Sequence, residues 1–92
     1  MPTLRSAKRK VIFELDAPEA QKVELAGDFT DWDKKPVGMS KKKGGSWRAS
    51  VRLDPGTYQY RFLVDGQWFD DPQCIVRVPN PFGAENCVRM VE

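Results

Sequence analysis

Clustered aspartates are the residues of this sequence best suited to acid–base chemistry. The candidates are Asp28, Asp31, Asp33, Asp65, Asp70 and Asp71. Two carboxylates about 5 to 10 Å apart could cleave a glycosidic bond, but a chain of 92 residues offers little water-excluded volume in which to perturb a carboxyl group. Beside Gly, Pro and Thr, aspartates are better suited to capping backbone groups in turns. We therefore expect no enzymatic activity.

Other common chemistries lack their residues. The sequence contains no histidine, which excludes Ser-His-Asp and Cys-His arrangements and removes the usual imidazole ligands of zinc. Asp28, Asp31 and Asp33 do not have the spacing of a twelve-residue calcium loop. The Gly-Gly step at 44–45 lacks the glycine spacing and the following helix of a phosphate-binding loop. We expect neither a metal nor a cofactor.

The three tryptophans fall in two different settings. Trp47 continues the alternating pattern of residues 46–53 and belongs on its apolar face. Trp32 lies in GDFTDWD and Trp68 in DGQWFDD, where neighbouring charges should keep an indole near solvent. An exposed tryptophan indicates a ligand surface, although packing at the edge of the fold is an equally good interpretation of composition alone.

A sugar is the ligand that such a surface suits. A pyranose ring has an apolar C–H face that packs on an indole, while its hydroxyl groups need donors and acceptors. Strand alternation points Arg61 away from the core, and Trp68 lies across the Asp65-Gly66 turn within reach of the same face. Asn86 could supply further hydrogen bonds. The pattern predicts a platform of Trp32, Arg61 and Trp68.

Period-two hydrophobic alternation predicts the elements that position these side chains. Strands are expected at 10–15, 22–26, 46–53, 57–64, 67–69, 74–78 and 86–91, with a further short strand near 37–39. Asp54-Pro-Gly56 is expected to join 46–53 and 57–64 as an antiparallel hairpin, and Asp65-Gly66 to make a second hairpin.

The fold predicted from these strands is all-β. No segment has a helical period, and turns recur about every 8 to 12 residues, which is typical of an immunoglobulin-like β-sandwich. We expect six to eight short antiparallel strands; a small barrel is the alternative. Residues 1–8 are predicted to be a flexible tail and residues 9–92 a single domain.

Charge and targeting signals narrow the possible partners. The net charge is +2, and the lysines at 41–43 are separated in sequence from the aromatic residues, so we expect no nucleic-acid binding. The sequence lacks the apolar core of a signal peptide and any membrane span, which predicts a cytoplasmic protein that does not bind membranes. Cys74 and Cys87 are accordingly expected to be free thiols.

Three stretches resemble a known family: VELAGDFTDWDKKPVGM, LDPGTYQYRFLVDGQWFDDP and NPFGAENCV. Their order and spacing are similar to those of the glycogen-binding domain of AMP-activated protein kinase β subunits. That domain is one of the family-48 carbohydrate-binding modules, which are related to the N-terminal domains of branching and debranching enzymes. The resemblance covers roughly residues 9–91 and implies an immunoglobulin-like fold without catalysis.

The resemblance also implies a ligand and the residues that bind it. The ligand is an α-1,4-linked glucan such as glycogen, starch, a maltooligosaccharide or a cyclodextrin. The residues matched by motif are Trp32, Arg61, Trp68, Phe82 and Asn86. Arg61 replaces a lysine that is frequent in the family, and Phe82 replaces a leucine. The alternative is an adaptor domain that docks a kinase or a glucan-metabolising enzyme.

Overall fold

The computed structural model describes residues 8–92, which fold into short antiparallel strands and one turn of 3-10 helix, Trp32–Lys34. The predicted tail, residues 1–8, lies almost entirely outside the described residues. The strands are Arg9–Asp16 (β1), Val23–Gly27 (β2), Val37–Gly38 (β3), Ser40–Lys41 (β4), Ser46–Leu53 (β5), Gly56–Val64 (β6), Gln67–Phe69 (β7), Arg77–Pro79 (β8) and Glu85–Val91 (β9).

These strands form two antiparallel sheets, which confirms the predicted all-β class. One sheet has the order β1-β5-β4, and the other has the order β3-β2-β6-β9-β8 with β7 paired to β6. Residues 8–92 contain nine strands rather than six to eight, because the segment between β2 and β5 supplies two strands of two residues each. The strand predicted at 74–78 begins only at Arg77, since the Cys74 N–H donates to the Asp71 carbonyl oxygen in a turn.

The alternating apolar residues of both sheets meet in one core. In β1 the buried positions Val11, Phe13 and Leu15 alternate with more exposed ones, as predicted. The Phe13 ring packs edge-on against Tyr60 of the other sheet, with ring centroids 4.9 Å apart. Trp47 is buried among these residues. The predicted core face therefore lies between the sheets.

The prediction that β5 and β6 form a hairpin was wrong. Both flanks of β5 are occupied by β1 and β4, and β6 pairs with β2, β7 and β9. The connection at Asp54 and Pro55 instead carries the chain from one sheet to the other. The two strands bury their apolar residues in the same core, but they do so from opposite sheets.

A hydrogen-bonded group lies under the larger sheet. The Tyr60 hydroxyl donates to Asp71 Oδ2 over 2.7 Å, and both residues are buried. Cys87 is fully buried beside them, with Sγ 3.9 Å from the Asp71 carbonyl oxygen. Cys74 and Cys87 are free thiols, as predicted.

This buried group predicts a loss of stability in alkaline solution. Burial and the hydrogen bond with Asp71 raise the pKa of Tyr60 above its ordinary value. Burial and a hydrogen bond with Cys74 raise the pKa of Cys87 to about 12. The unfolded chain ionises both groups at lower pH than the folded chain does. The free energy of unfolding should therefore stay level below about pH 8 and then fall, by up to about 1.4 kcal/mol per pH unit for each group.

Urea unfolding at pH 7 to 11 measures this profile. A Cys87→Ala variant should lose the earlier part of the decline and begin to lose stability only near the ordinary tyrosine pKa, about 10. A wild-type stability that is unchanged up to about pH 11 would contradict the prediction.

Candidate functional site

Trp32 and Trp68 lie side by side on the outer face of the larger sheet. Their ring centroids are 6.4 Å apart and the ring planes are inclined by 66°. Trp32 is partly exposed and Trp68 is 40% exposed. Trp32 and Trp68 come from separate parts of the sequence, but their rings form one surface, which is not flat.

A tight turn positions Trp68. Asp65 and Gly66 have φ values of 49° and 84°, the left-handed conformation that a two-residue hairpin requires, and Trp68 pairs with Leu63 across it. Paired residues of antiparallel strands point to the same side, so Trp68 shares the outer face with Arg61. Leu63 also points away from the core. It is nevertheless buried, because Trp68 lies beside it on the neighbouring strand.

A strained loop positions Trp32. Asp31 and Trp32 both have positive φ, 56° and 55°, a conformation that costs of order 1–3 kcal/mol for residues other than glycine. The buried Thr30 hydroxyl opposes this cost. It accepts the Gly27 N–H at 2.9 Å and lies 2.9 Å from the Trp32 carbonyl oxygen, to which it can donate. The loop is thus anchored to the end of β2.

Arg61 lies next to the aromatic pair. Its guanidinium carbon is 5.5 Å from the centroid of the Trp68 ring, within the range of a cation–π contact. Its Nε donates to Asp70 Oδ1 over 2.9 Å, and Arg77 Nη1 lies 3.4 Å from the other oxygen of the same carboxylate. Strand alternation correctly predicted that this side chain leaves the core.

A chain of amides lines the other side of the site. Asn80 Nδ2 donates to Asn86 Oδ1 over 3.0 Å, and Asn86 Nδ2 donates to Gln59 Oε1 over 3.0 Å. Asn80 Oδ1 also accepts the backbone N–H groups of Phe82 and Ala84, which shapes the loop that presents Phe82. That phenyl ring is 89% exposed.

These elements enclose an open groove with a volume of about 610 Å³. The five residues predicted from sequence, Trp32, Arg61, Trp68, Phe82 and Asn86, all line it. Asn86 is buried, and both ends of its amide already have protein partners.

Comparison with known proteins places this chain in a family. The family described as the glycogen recognition site of AMP-activated protein kinase matches residues 10–92. The chain belongs to this family. Its β-sandwich is therefore that of a glycogen recognition domain.

Several relatives contain a similar segment. The 1,4-alpha-glucan branching enzyme of Salinibacter ruber is 38% identical over 65 residues, which are 68% of this chain and 10% of the enzyme. The chloroplastic phosphoglucan phosphatase LSF1 of Arabidopsis thaliana is 36% identical over 63% of this chain and 10% of that protein. The β-1 subunit of 5'-AMP-activated protein kinase from Sus scrofa is 42% identical over 56% of this chain and 40% of the subunit. The chain thus spans about a tenth of the length of the first two relatives.

In this glycogen recognition domain, sequence reasoning missed three polar residues. Gln59 and Asn80 line the groove, and Asp70 holds Arg61 from behind. The alternation that predicted Arg61 also placed Gln59 on the same outer face, so a signal for Gln59 was present. Nothing in the sequence pattern pairs Asp70 with Arg61, because that contact depends on how the chain leaves β7.

Three of the six clustered aspartates, Asp28, Asp65 and Asp71, accept backbone N–H groups. Asp65 Oδ1 accepts the N–H groups of Gln21 and Lys22, and Asp28 Oδ2 accepts the Gln59 N–H at 3.2 Å. Residues 8–92 contain no group of His, Cys, Asp or Glu side chains arranged to hold a metal ion. The same residues form no helix that could span a membrane.

Proposed function

We propose that this chain binds α-1,4-linked glucans, such as glycogen and maltooligosaccharides, without catalysing a reaction on them. The observation that carries the proposal is the pair of exposed, inclined indoles in an open groove, in a chain that belongs to the glycogen recognition family. The proposed ligand-binding residues are Trp32, Arg61, Trp68, Phe82 and Asn86, within a single domain of residues 9–92.

The inclination of the rings favours an α-linked ligand. A chain that stacks one sugar on Trp32 and another on Trp68 must turn between them, because the ring planes differ by 66°. An α-1,4-linked glucan curves in this way, whereas a β-1,4-linked glucan is a flat ribbon that can lie on only one ring. The exposed Phe82 ring adds a third apolar contact at the rim of the groove.

Stacking sets the scale of the affinity. An indole offers about 150–250 Å² and a sugar covers roughly half, which gives about 2–3 kcal/mol of gross stabilisation per ring. Loss of translational freedom and imperfect hydroxyl pairing offset part of this. We therefore expect a dissociation constant on the order of 10 μM to 1 mM for a short oligosaccharide.

Polar groups of the groove would hold the sugar hydroxyls. The Nη groups of Arg61 are not used by Asp70, which takes Nε. The amides of Asn80, Asn86 and Gln59 form one hydrogen-bonded row along the groove, and they offer neutral donors and acceptors. The amide part of the lining suits an uncharged polyhydroxyl ligand.

We also propose that the chain docks a protein such as a kinase or a glucan-metabolising enzyme. A second groove, of about 450 Å³, is lined by exposed apolar side chains that include Ile75, Val76 and Met90. Ile75 is 94% exposed. Exposed apolar clusters are typical of protein-interaction surfaces.

We propose a cytoplasmic location for the chain, because free thiols are typical of proteins in a reducing compartment.

Titration calorimetry with β-cyclodextrin and maltoheptaose tests glucan binding, with cellohexaose as the β-linked control. We expect saturable binding of both α-linked ligands and none of cellohexaose. If the folded protein does not respond to α-glucans at about 10 mM, well above the expected dissociation constants, glucan binding is wrong and protein docking becomes the leading function.

A further inference from the structure

The Asp70 carboxylate links two arginines behind the glucan groove. Oδ1 accepts Nε of Arg61 at 2.9 Å, and Oδ2 lies 3.4 Å from Nη1 of Arg77. Arg77 is fixed in turn, because its Nη2 donates to the Asp71 carbonyl oxygen over 3.1 Å. Asp70 itself does not line the groove, whereas Arg61 does. The carboxylate can therefore affect a ligand only through the arginine.

The pairing restricts the Arg61 guanidinium in two ways. The hydrogen bond from Nε to Asp70 fixes one edge of the guanidinium group and so limits rotation of its plane. The guanidinium carbon also lies 5.5 Å from the Trp68 ring centroid, so the indole restrains the same plane. The Arg61 side chain is 15% exposed, compared with 38% for Asp70. The arginine is thus ordered before any ligand arrives.

We propose that Asp70 is a positioning residue for glucan binding, which orients Arg61 so that its Nη groups and the Trp68 ring together meet a sugar. This rests on the proposed function. A free arginine side chain loses rotamer entropy when it is immobilised, and pre-ordering removes part of that cost from the binding step. A lysine at position 61 would have a single side-chain nitrogen. Asp70 could not hold one nitrogen of such a side chain while other nitrogens faced the sugar.

A double-mutant cycle tests this inference. Affinities for β-cyclodextrin are measured by calorimetry for wild type, Asp70→Ala, Arg61→Ala and the double variant. We expect Asp70→Ala to weaken binding about tenfold with Arg61 present and to have no effect with Arg61 absent. Asp70→Asn keeps an oxygen that can accept the Nε–H, so it should restore part of the affinity.

The control is a matched ion pair on the other sheet. Glu14 Oε2 lies 2.8 Å from Arg48 Nη2, and both side chains are about half exposed. Glu14→Ala should leave β-cyclodextrin affinity unchanged. Thermal unfolding of every variant confirms that each is folded at the temperature of the titration.

The possible outcomes separate the inference from the function on which it rests. If wild type binds neither β-cyclodextrin nor maltoheptaose, both are wrong. If wild type binds and Asp70→Ala binds equally well, only the positioning role is wrong. The positioning role is also wrong if Asp70→Ala weakens binding equally in the presence and absence of Arg61. In that case the carboxylate affects binding through the stability of the fold and not through the arginine.

Discussion

Trp68→Ala should remove most of the affinity for α-glucans. The substitution deletes one of the two stacking surfaces and also the ring that restrains the Arg61 guanidinium. Loss of about 2–3 kcal/mol corresponds to roughly 30- to 150-fold weaker binding. Because Trp68 is only 40% exposed and lies beside the buried Leu63, we also expect a loss of about 1–2 kcal/mol in the free energy of unfolding, so binding is measured at a temperature at which the variant is folded. Calorimetry with maltoheptaose measures the effect without depending on the lost fluorophore.

Two further variants give this prediction its controls. Trp68→Phe keeps an aromatic face and should recover part of the affinity for maltoheptaose. Ile75→Ala removes an apolar side chain outside the groove and should leave that affinity unchanged. If Trp68→Ala binds maltoheptaose as tightly as wild type does, stacking on this residue does not contribute to recognition.

Gly27→Ala should destabilise the fold. A Cβ at this position would lie 2.6 Å from the backbone oxygen of Gln59 and 2.6 Å from Cε1 of Phe29. The oxygen belongs to β6 and cannot move without disturbing the sheet. We expect a loss of about 2–3 kcal/mol in the free energy of unfolding, measured by urea denaturation.

The same substitution should weaken glucan binding. Gly27 bonds through its N–H to the Thr30 hydroxyl, which holds the positive-φ turn at Trp32, so a shift at residue 27 displaces the indole. Gly38→Ala is the matched control, because nothing lies within 4 Å of a Cβ there. Equal denaturation midpoints for the Gly27 and Gly38 variants would show that the close approach to β6 is tolerated.

Period-two patterning predicted which residues face the core but not which strands are neighbours. Val11, Phe13 and Leu15 are buried as the alternation requires, and the Asp65-Gly66 turn forms the predicted hairpin. The Asp54-Pro-Gly56 connection was misassigned because the same pattern of faces fits two strands beside each other and two strands on opposite sheets. Sequence spacing alone does not distinguish these arrangements.

The candidate site shows a similar division. Alternation and the hairpin turn were sufficient to bring Trp68 to the face of Arg61, and all five residues named from sequence line one groove. Their role in binding a glucan remains a prediction. The contacts of Asp70 with Arg61 and of Asn80 with Asn86 join separate segments of the chain. Local pattern therefore contains no signal for either of them.

The inclined pair of indoles also makes this domain its own optical reporter. Two identical chromophores 6.4 Å apart whose planes are inclined by 66° couple their electronic transitions, and coupling between non-parallel transitions produces paired bands of opposite sign in circular dichroism. The amplitude of such a couplet depends on the angle between the rings. Any rearrangement of Trp32 relative to Trp68 would change that amplitude, so the geometry of the pair could be followed in unlabelled protein.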